Sequence, residues 1–211
     1  MAVTSVANRK GRPTADGARQ KMALVLAVAR ELFTQLGYRA VTMRDVADKA
    51  QVSTRTLYNR YADKLSLFAA CLDLGAEAFP KLPAAPKGDH RRTLEAHAAA
   101  IVRLLAQDSS VRLGMLIYRE GGEFPEMLKA SEKNQQRFLV DPLSAYLRAA
   151  GLAGGDAESL AQAFVAMALS EWQRRITYQH PMPSEAEIVR HAAFIVRVFL
   201  DGVQAMRDPA V

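Results

Sequence analysis

Thr42-Met-Arg-Asp-Val-Ala-Asp-Lys-Ala-Gln-Val-Ser-Thr-Arg-Thr-Leu-Tyr-Asn-Arg-Tyr61 is the stretch whose reading decides the fold. Thr42 is a good N-cap for a two-turn helix over residues 43–50, with Val46, Ala47 and Ala50 turned inward. Gln51 and Val52 break that helix, and Ser53 or Thr54 caps a second one running to Tyr61. Two short helices around a tight break, with Ala47, Val52 and Leu57 where they must pack, have the layout of a helix-turn-helix. The open side of the second helix carries Thr54, Arg55, Thr56, Tyr58 and Asn59. Arginine grips guanine bidentately, asparagine pairs with adenine, and threonine touches the thymine methyl. An ordinary helical hairpin with a solvated face shows the same short pattern, so charge has to decide between them.

Residues 1–64 hold 12 Lys and Arg against 5 Asp and Glu, net +7, whereas residues 65–211 hold 16 against 17, net −1. The whole excess is at the front. A basic front joined to a neutral remainder predicts one part that meets a polyanion and another with a different task. Duplex DNA is the first candidate polyanion and an anionic membrane surface the second.

Working outward, residues 1–18 are polar, contain Gly11, Pro13 and Gly17, and read as a flexible basic arm. Met22, Leu26, Ala29, Phe33 and Leu36 then recur on one helical face, with Gly37 at the C-terminal cap. Asp63 caps a fourth helix from Lys64 to about Phe79, closing a domain over residues 19–79. The basic start followed by residues 22–29 imitates an export signal. The apolar face, however, runs on through Leu32, Phe33 and Leu36, and cleavage would cut a helix the domain uses. No apolar run approaches the roughly 18 residues that crossing a bilayer requires. A single cysteine, Cys71, in an apolar setting predicts a reduced, cytoplasmic protein in which it packs.

Three prolines and a glycine within residues 80–88 make a linker. Residues 89–211 return to helical patterning. Leu94, Ala98, Ile101 and Leu105 line one helix, Ser109 or Ser110 starts another that ends near Gly121, and Pro125 sits at a first helical position. That helix either continues to Ala150 or restarts at Asp141-Pro142. Asp156 caps the next, which runs to about Tyr178. Ser184 and Glu187 form a capping box for the last. There Ile188, Ala192, Ile195 and Phe199 form one apolar stripe and Val189, Ala193, Val196 and Leu200 a second, leaving a narrow polar strip of Arg190, Arg197, Asp201 and Gln204. One stripe suits the domain's own core and the other a partner. With no strand-period alternation, the fold class is all α.

Catalytic and metal signals are poor, and neither a cofactor nor a metal is expected. His90 and His97 share a face without a Cys or His cluster, His180 and His191 are isolated, and no nucleophile elbow, phosphate loop or dinucleotide fingerprint occurs.

The N-terminal segment resembles the tetracycline-repressor (TetR) family. The resemblance lies in Leu32-Phe33…Gly37, Thr42…Val46-Ala47, Val52-Ser53…Leu57-Tyr58 and Asp63-Lys64…Leu67, all at the family's spacing. Gln51 departs from it, since the family usually has glycine in that turn. Residues 112–120 followed by Glu123-Phe-Pro-Glu126 are similar, more loosely, to the ligand domains of the AefR-like branch. The resemblance implies an N-terminal three-helix DNA-binding domain and a C-terminal helical ligand-binding and dimerisation domain. It implies a ligand-responsive repressor, not an enzyme, that binds a palindromic double-stranded DNA operator as a homodimer and is released by a small apolar or amphipathic effector. Thr42, Arg44, Tyr58, Tyr61 and Lys64 would hold phosphates, and Arg12 of Lys10-Gly-Arg-Pro13 would enter a minor groove, the alternative for this arm being a disordered solubilising tail. The effector would act through the fourth helix on the separation of the reading heads. Its pocket would draw on Met115, Tyr118, Phe138, Tyr146, Phe164, Met167 and Trp172 as a group, although core packing is the better reading for each singly, with Arg119, Glu120 and Arg175 either its polar groups or surface charges. Val189, Ala193, Val196 and Leu200 would pair with their symmetry mates. A DNA-binding protein without ligand sensing, or an enzyme built in the C-terminal domain, are the alternatives.

Overall fold

The computed structural model describes residues 15–74, 79, 81–84, 88–153 and 155–207. The described residues contain helices and no strand. Arg12 lies outside them. The first helix, α1 (Ala15–Leu36), begins inside the segment that composition assigns to the arm. It buries Val25, Ala29, Leu32 and Phe33, while Leu36 faces solvent: the buried arc is centred one position off the expected stripe. Gly37 ends the helix at φ +91°, a left-handed conformation that glycine adopts without a Cβ clash.

Helix α2 (Met43–Lys49) starts at a reciprocal cap, in which Asp45 N–H donates to Thr42 Oγ1 at 3.2 Å and Thr42 N–H donates to Asp45 Oδ2 at 2.8 Å. Helix α3 (Thr54–Tyr58) is capped by Ser53 and stops three residues before Tyr61. Asp63 and Ser66 make a second reciprocal cap for α4 (Lys64–Asp73), which ends at Leu74, short of Phe79. The described residues of the 80–88 segment are non-helical.

Beyond it come α5 (His90–Leu105), α6 (Asp108–Glu120) and α7 (Pro125–Gln135). Helix α6 starts at Asp108, after Gln107 and without a side-chain cap, so neither Ser109 nor Ser110 opens it. Helix α7 neither stops nor runs on unchanged. It passes through one π-helical turn, Gln136–Val140, into α8 (Asp141–Ala149). Pro142 explains the widening. Its ring has no N–H to give and collides with a carbonyl four residues back, and a turn closed five residues apart, Asp141 N–H to the Gln136 carbonyl, makes room. Helices α9 (Ala157–Tyr178) and α10 (Glu185–Arg207) complete the chain.

Two cores result. One joins α5, the π turn, α8, α9 and α10 around Leu94, Ile101, Leu143, Leu147, Phe164 and Val196. The other is the core of α1–α4, and it does not stop at the linker: Leu113 and Leu116 of α6 and Met127 of α7 are buried in it with Phe33, Leu67 and Phe68. Each fully buried side chain of this size contributes about 1.5–3 kcal/mol relative to exposure. The N-terminal helices are therefore welded to α6 and α7, and a change at α6 is felt in the α1–α4 core directly.

Candidate DNA interface and effector cavity

The turn between α2 and α3 is closed by Val52 N–H to the Ala47 carbonyl at 2.9 Å, and it forces Gln51 to φ +53°. On the far side, Thr54, Arg55, Tyr58 and Asn59 are exposed, and Leu57 alone anchors α3 from beneath. Thr56 is half-buried and shares a 2.7 Å hydrogen bond with the Ser53 hydroxyl, which ties it to the cap. Arg44 is exposed at the first turn of α2, with a loose pairing to Asp48 at 3.6 Å.

Three of the residues expected at phosphates make contacts within the protein itself. The Thr42 hydroxyl is used by the cap, donating to Asp45 at 2.7 Å. Its hydrogen bonds hold the Asp45 carboxyl below its ordinary pKa. Tyr61 is buried in the α1–α4 core, and burial raises the pKa of its phenol. Lys64 turns inward: Nζ donates to the Tyr38 carbonyl at 2.8 Å and sits 4.5 Å from the centre of the Tyr38 ring. An apolar helix side and an aromatic neighbour make a better partner for the lysine stem than water does.

Tyr38 is the centre of this region. Phe33, Phe68 and Phe124 surround its ring at centroid distances of 5.2–5.7 Å. Burial, ahead of the fields of Glu126 and Asp63, pushes its phenol up to about 12. Its backbone N–H donates to Glu120 Oε2 at 2.8 Å, and the Arg39 N–H donates to the same oxygen at 3.2 Å. Arg39 pairs with Glu123. Glu120 thus faces the N-terminal helices and is no part of a cavity, and Arg119 lies exposed beside it.

A partly open cavity of about 180 Å³ does exist, and it lies between the two parts of the chain. Arg30 of α1 and Leu72 of α4 line it from one side; Leu113 and Gly114 of α6, Asn134 of α7 and Trp172 of α9 line it from the other. Gly114 is required there, because a Cβ would come within 2.6 Å of the Trp172 ring. Of the aromatic and sulfur side chains expected at a pocket, Trp172 alone lines this one. Met115 and Tyr118 are on the outer face of α6. Tyr146 is buried, its hydroxyl 3.0 Å from His90 Nδ1, and Phe164 stacks edge-on against Phe199 in the core shared by α5, α8, α9 and α10. Phe138 lies beneath the Arg137 guanidinium, and Met167 packs at the edge of that core. Arg175 braces the α9–α10 turn, pairing with Glu171 at 2.6 Å and Glu187 at 2.9 Å and donating to the Pro181 carbonyl. The bonds to Glu187 from Ser184 and Arg175 pull its carboxyl down to about 2.

Arg30 carries a signal that reading α1 for apolar residues misses. It falls on the stripe of Leu26 and Phe33, spaced by four and then three residues, where a charge needs a reason.

On α10 the second apolar stripe is divided. Val196 is 0% exposed within its own protomer, because α10 rolls toward α5 and takes that position into the core. Val196 is therefore not available to a partner, and Leu200 is half-buried. Val189 and Ala193 remain exposed. Phe194 and Val198, 54% and 46% exposed and one turn apart, are further uncovered apolar groups outside the two expected stripes. On α9 the outward positions Ala163, Ala166 and Ser170 are small.

No group of three or more metal-ligating side chains occurs among the described residues, and no described helix is long and apolar enough to cross a membrane. A helix-turn-helix at the basic end, welded to a helical domain with a cavity at the join, defines a DNA-binding transcriptional regulator. Residues 25–71 match the family described as bacterial regulatory proteins, tetR family, and residues 92–202 match the AefR-like transcriptional repressor C-terminal domain. The chain belongs to the TetR family.

It is similar to the HTH-type transcriptional regulator YdeS of Bacillus subtilis, 26% identical over 63% of this chain and 62% of that one. It is also similar to the HTH-type transcriptional activator FasR of Mycolicibacterium smegmatis, 37% identical over 31% of this chain and 29% of that one. The matched stretches thus span less than two thirds of either relative. Among solved structures, a TetR-family regulator from Mesorhizobium loti has the same fold, with a TM-score of 0.70, 23% identity, and coverage of 88% of this chain and 96% of that one. The flavonoid-responsive regulator FrrA has it at a TM-score of 0.68 and 24% identity, covering 87% and 97%. These relatives are regulators, not enzymes.

Proposed function

We propose that this protein is a repressor that binds a palindromic operator as a homodimer and leaves it when a small molecule fills the cavity. One observation carries the reading: the cavity wall is shared between α1 and α4 on one side and α6, α7 and α9 on the other. A molecule that fills it changes how the N-terminal helices are seated, and with them the distance between two reading heads. Ligand sensing by a protein of this fold is what the name of FrrA describes for that neighbour. The AefR-like match, which covers the helical domain, supports repression.

In this reading Arg55, Asn59, Thr54 and Tyr58 meet the major groove and Arg44 holds phosphate. Phe194 and Val198, with Val189, Ala193 and the small outward residues of α9, form the dimer face. The test is a gel-shift series on the DNA upstream of the protein's own coding region, with light scattering to count subunits. A dimer that prefers that fragment to random DNA, and releases it on addition of one member of a metabolite panel, supports the proposal. A monomer, or equal affinity for all fragments, rejects it.

A further inference from the structure

The cavity wall also indicates the charge of the molecule it takes, an inference that rests on reading the cavity as the effector site. Among the described side chains lining it, Arg30 is the one with a formal charge. Its guanidinium is poorly matched. Nε is buried without an acceptor, and the terminal nitrogens reach the Leu74 carbonyl at 3.4 Å and the Ser110 hydroxyl at 3.3 Å. Both are long against the 2.7–2.9 Å of a charge-assisted hydrogen bond. Trp172 Nε1 is a second buried donor without an acceptor.

Among the described residues no carboxylate lines the space. Asp73, on the adjoining end of α4, already accepts from Asn134 at 2.8 Å and pairs with Arg137 at 3.7 Å. Burial holds the Arg30 pKa below the ordinary value, against an opposing field from Cys71, and nearby Arg112 lowers it further. The neighbouring Cys71 thiol, pushed up to about 12 by burial, supplies no countercharge at neutral pH. The described wall thus carries a positive charge without a matching negative one: its polar members besides Arg30 and Trp172 are the neutral Gln107, Ser110, Ser131, Asn134 and Gln135, and the rest is largely leucine with Ile117 and Phe79.

We infer that the effector is a small monocarboxylate with an apolar body, whose carboxylate is taken by Arg30 while the body fills the leucine-lined space beside Trp172. Size narrows the class. An apolar cavity of 150 Å³ holds benzene. A space of about 180 Å³ therefore suits one ring, or a medium alkyl chain, with its head group. Because Arg30 also spans α1, the end of α4 and α6, the residue that reads the head group is one that holds the N-terminal helices in place.

Trp172 is the only tryptophan of the chain, so its emission reports the cavity directly. The experiment titrates the full-length protein with phenylacetate and octanoate and with their neutral counterparts, phenylacetamide and octanamide. We expect the acids to change Trp172 emission at concentrations at least about tenfold lower than the amides, as removal of a charge-assisted pair from a buried site implies. Arg30→Met, which keeps the apolar stem, should abolish that preference and leave the amides unaffected. Equal response to acid and amide, no response to either acid at millimolar concentration, or an unchanged preference in Arg30→Met overturns the inference. The acid–amide comparison needs no variant, so it decides even if Arg30→Met fails to fold. The regulatory reading is tested separately. Acids that bind at Trp172 without loosening the DNA complex would remove the release mechanism and leave the charge assignment standing.

Discussion

Glu120, the last residue of α6, accepts the backbone N–H of Tyr38 across 82 positions of sequence, at 2.8 Å. The same oxygen takes the Arg39 N–H, and a Cβ on Gly37 would stand 2.5 Å from its companion oxygen. The α1–α2 turn is thereby pinned to the end of a helix that lines the cavity. Glu120→Ala would leave two amides without their charged acceptor and should cost on the order of 1.5–3 kcal/mol in thermal or denaturant unfolding. The pH dependence has a definite sign. Burial pushes the Glu120 carboxyl up, but the donors of Arg119, Arg39 and Tyr38 outweigh it and leave the pKa below the ordinary 4.5. A carboxyl depressed in the folded state stabilises fully above its ordinary value and loses that contribution as pH falls through the lowered one. Wild type should therefore weaken more steeply than Glu120→Gln on acidification below about pH 4.5. Parallel profiles would show that the carboxylate does not pin the turn.

Gln51 holds φ +53° in the turn of the helix-turn-helix. A left-handed non-glycine residue costs about 1–2 kcal/mol. Glycine returns about 0.5–1 of that as chain entropy. Gln51→Gly should accordingly stabilise the protein by up to about 1 kcal/mol, seen as a higher denaturation midpoint at unchanged slope. A lower midpoint would mean that the glutamine side chain makes a contact worth more than the strain.

Lys64 and Arg55 should separate in their effects on DNA. Lys64→Met removes the donor to the Tyr38 carbonyl and should lower thermal stability, while changing the salt slope of DNA binding by less than the roughly one unit of a full phosphate contact. Arg55→Ala, on the exposed side of α3, should leave stability unchanged and cost about 1–3 kcal/mol on the preferred site only. Equal losses on preferred and random DNA for Arg55→Ala would move it from base reading to phosphate holding.

Two glutamates on α10 should give opposite results. Val196→Glu puts a carboxylate into the core of one protomer and should unfold it. Phe194→Glu puts one on an exposed site and should leave a helical protein by circular dichroism that elutes as a monomer. A folded dimer in Phe194→Glu would place the interface on another face.

The helices, their caps and the helix-turn-helix were legible because they rest on short-range chemistry. Thr42 with Asp45, Ser53 with Thr56, Asp63 with Ser66 and Ser184 with Glu187 each settle their bonds within four residues. The capacity for DNA was written in composition, since all the excess charge lies in residues 1–64. The π turn before Pro142 was half-legible: proline announced a disturbance, and its form depended on the helix finding a wider closure.

What tertiary structure decided is which way each ambiguous side chain turned. Periodicity gave α10 two equivalent apolar stripes, and only packing against α5 took Val196 inward and left Phe194 and Val198 outside. Lys64 and Glu120 looked like surface charges for DNA and for ligand. The packing of α4 against the α1–α2 turn gave Lys64 the Tyr38 carbonyl, and the approach of α6 gave Glu120 the Tyr38 N–H. Arg30 was a charge out of place on an apolar face until α4, α6, α7 and α9 closed a cavity around it. Sequence alone determines where the chain can bond to its own near neighbours, because those distances are set by the helix itself. The meeting of residues 80 positions apart is set by how whole helices pack, and that is where this protein's cavity and its link to the reading head arise.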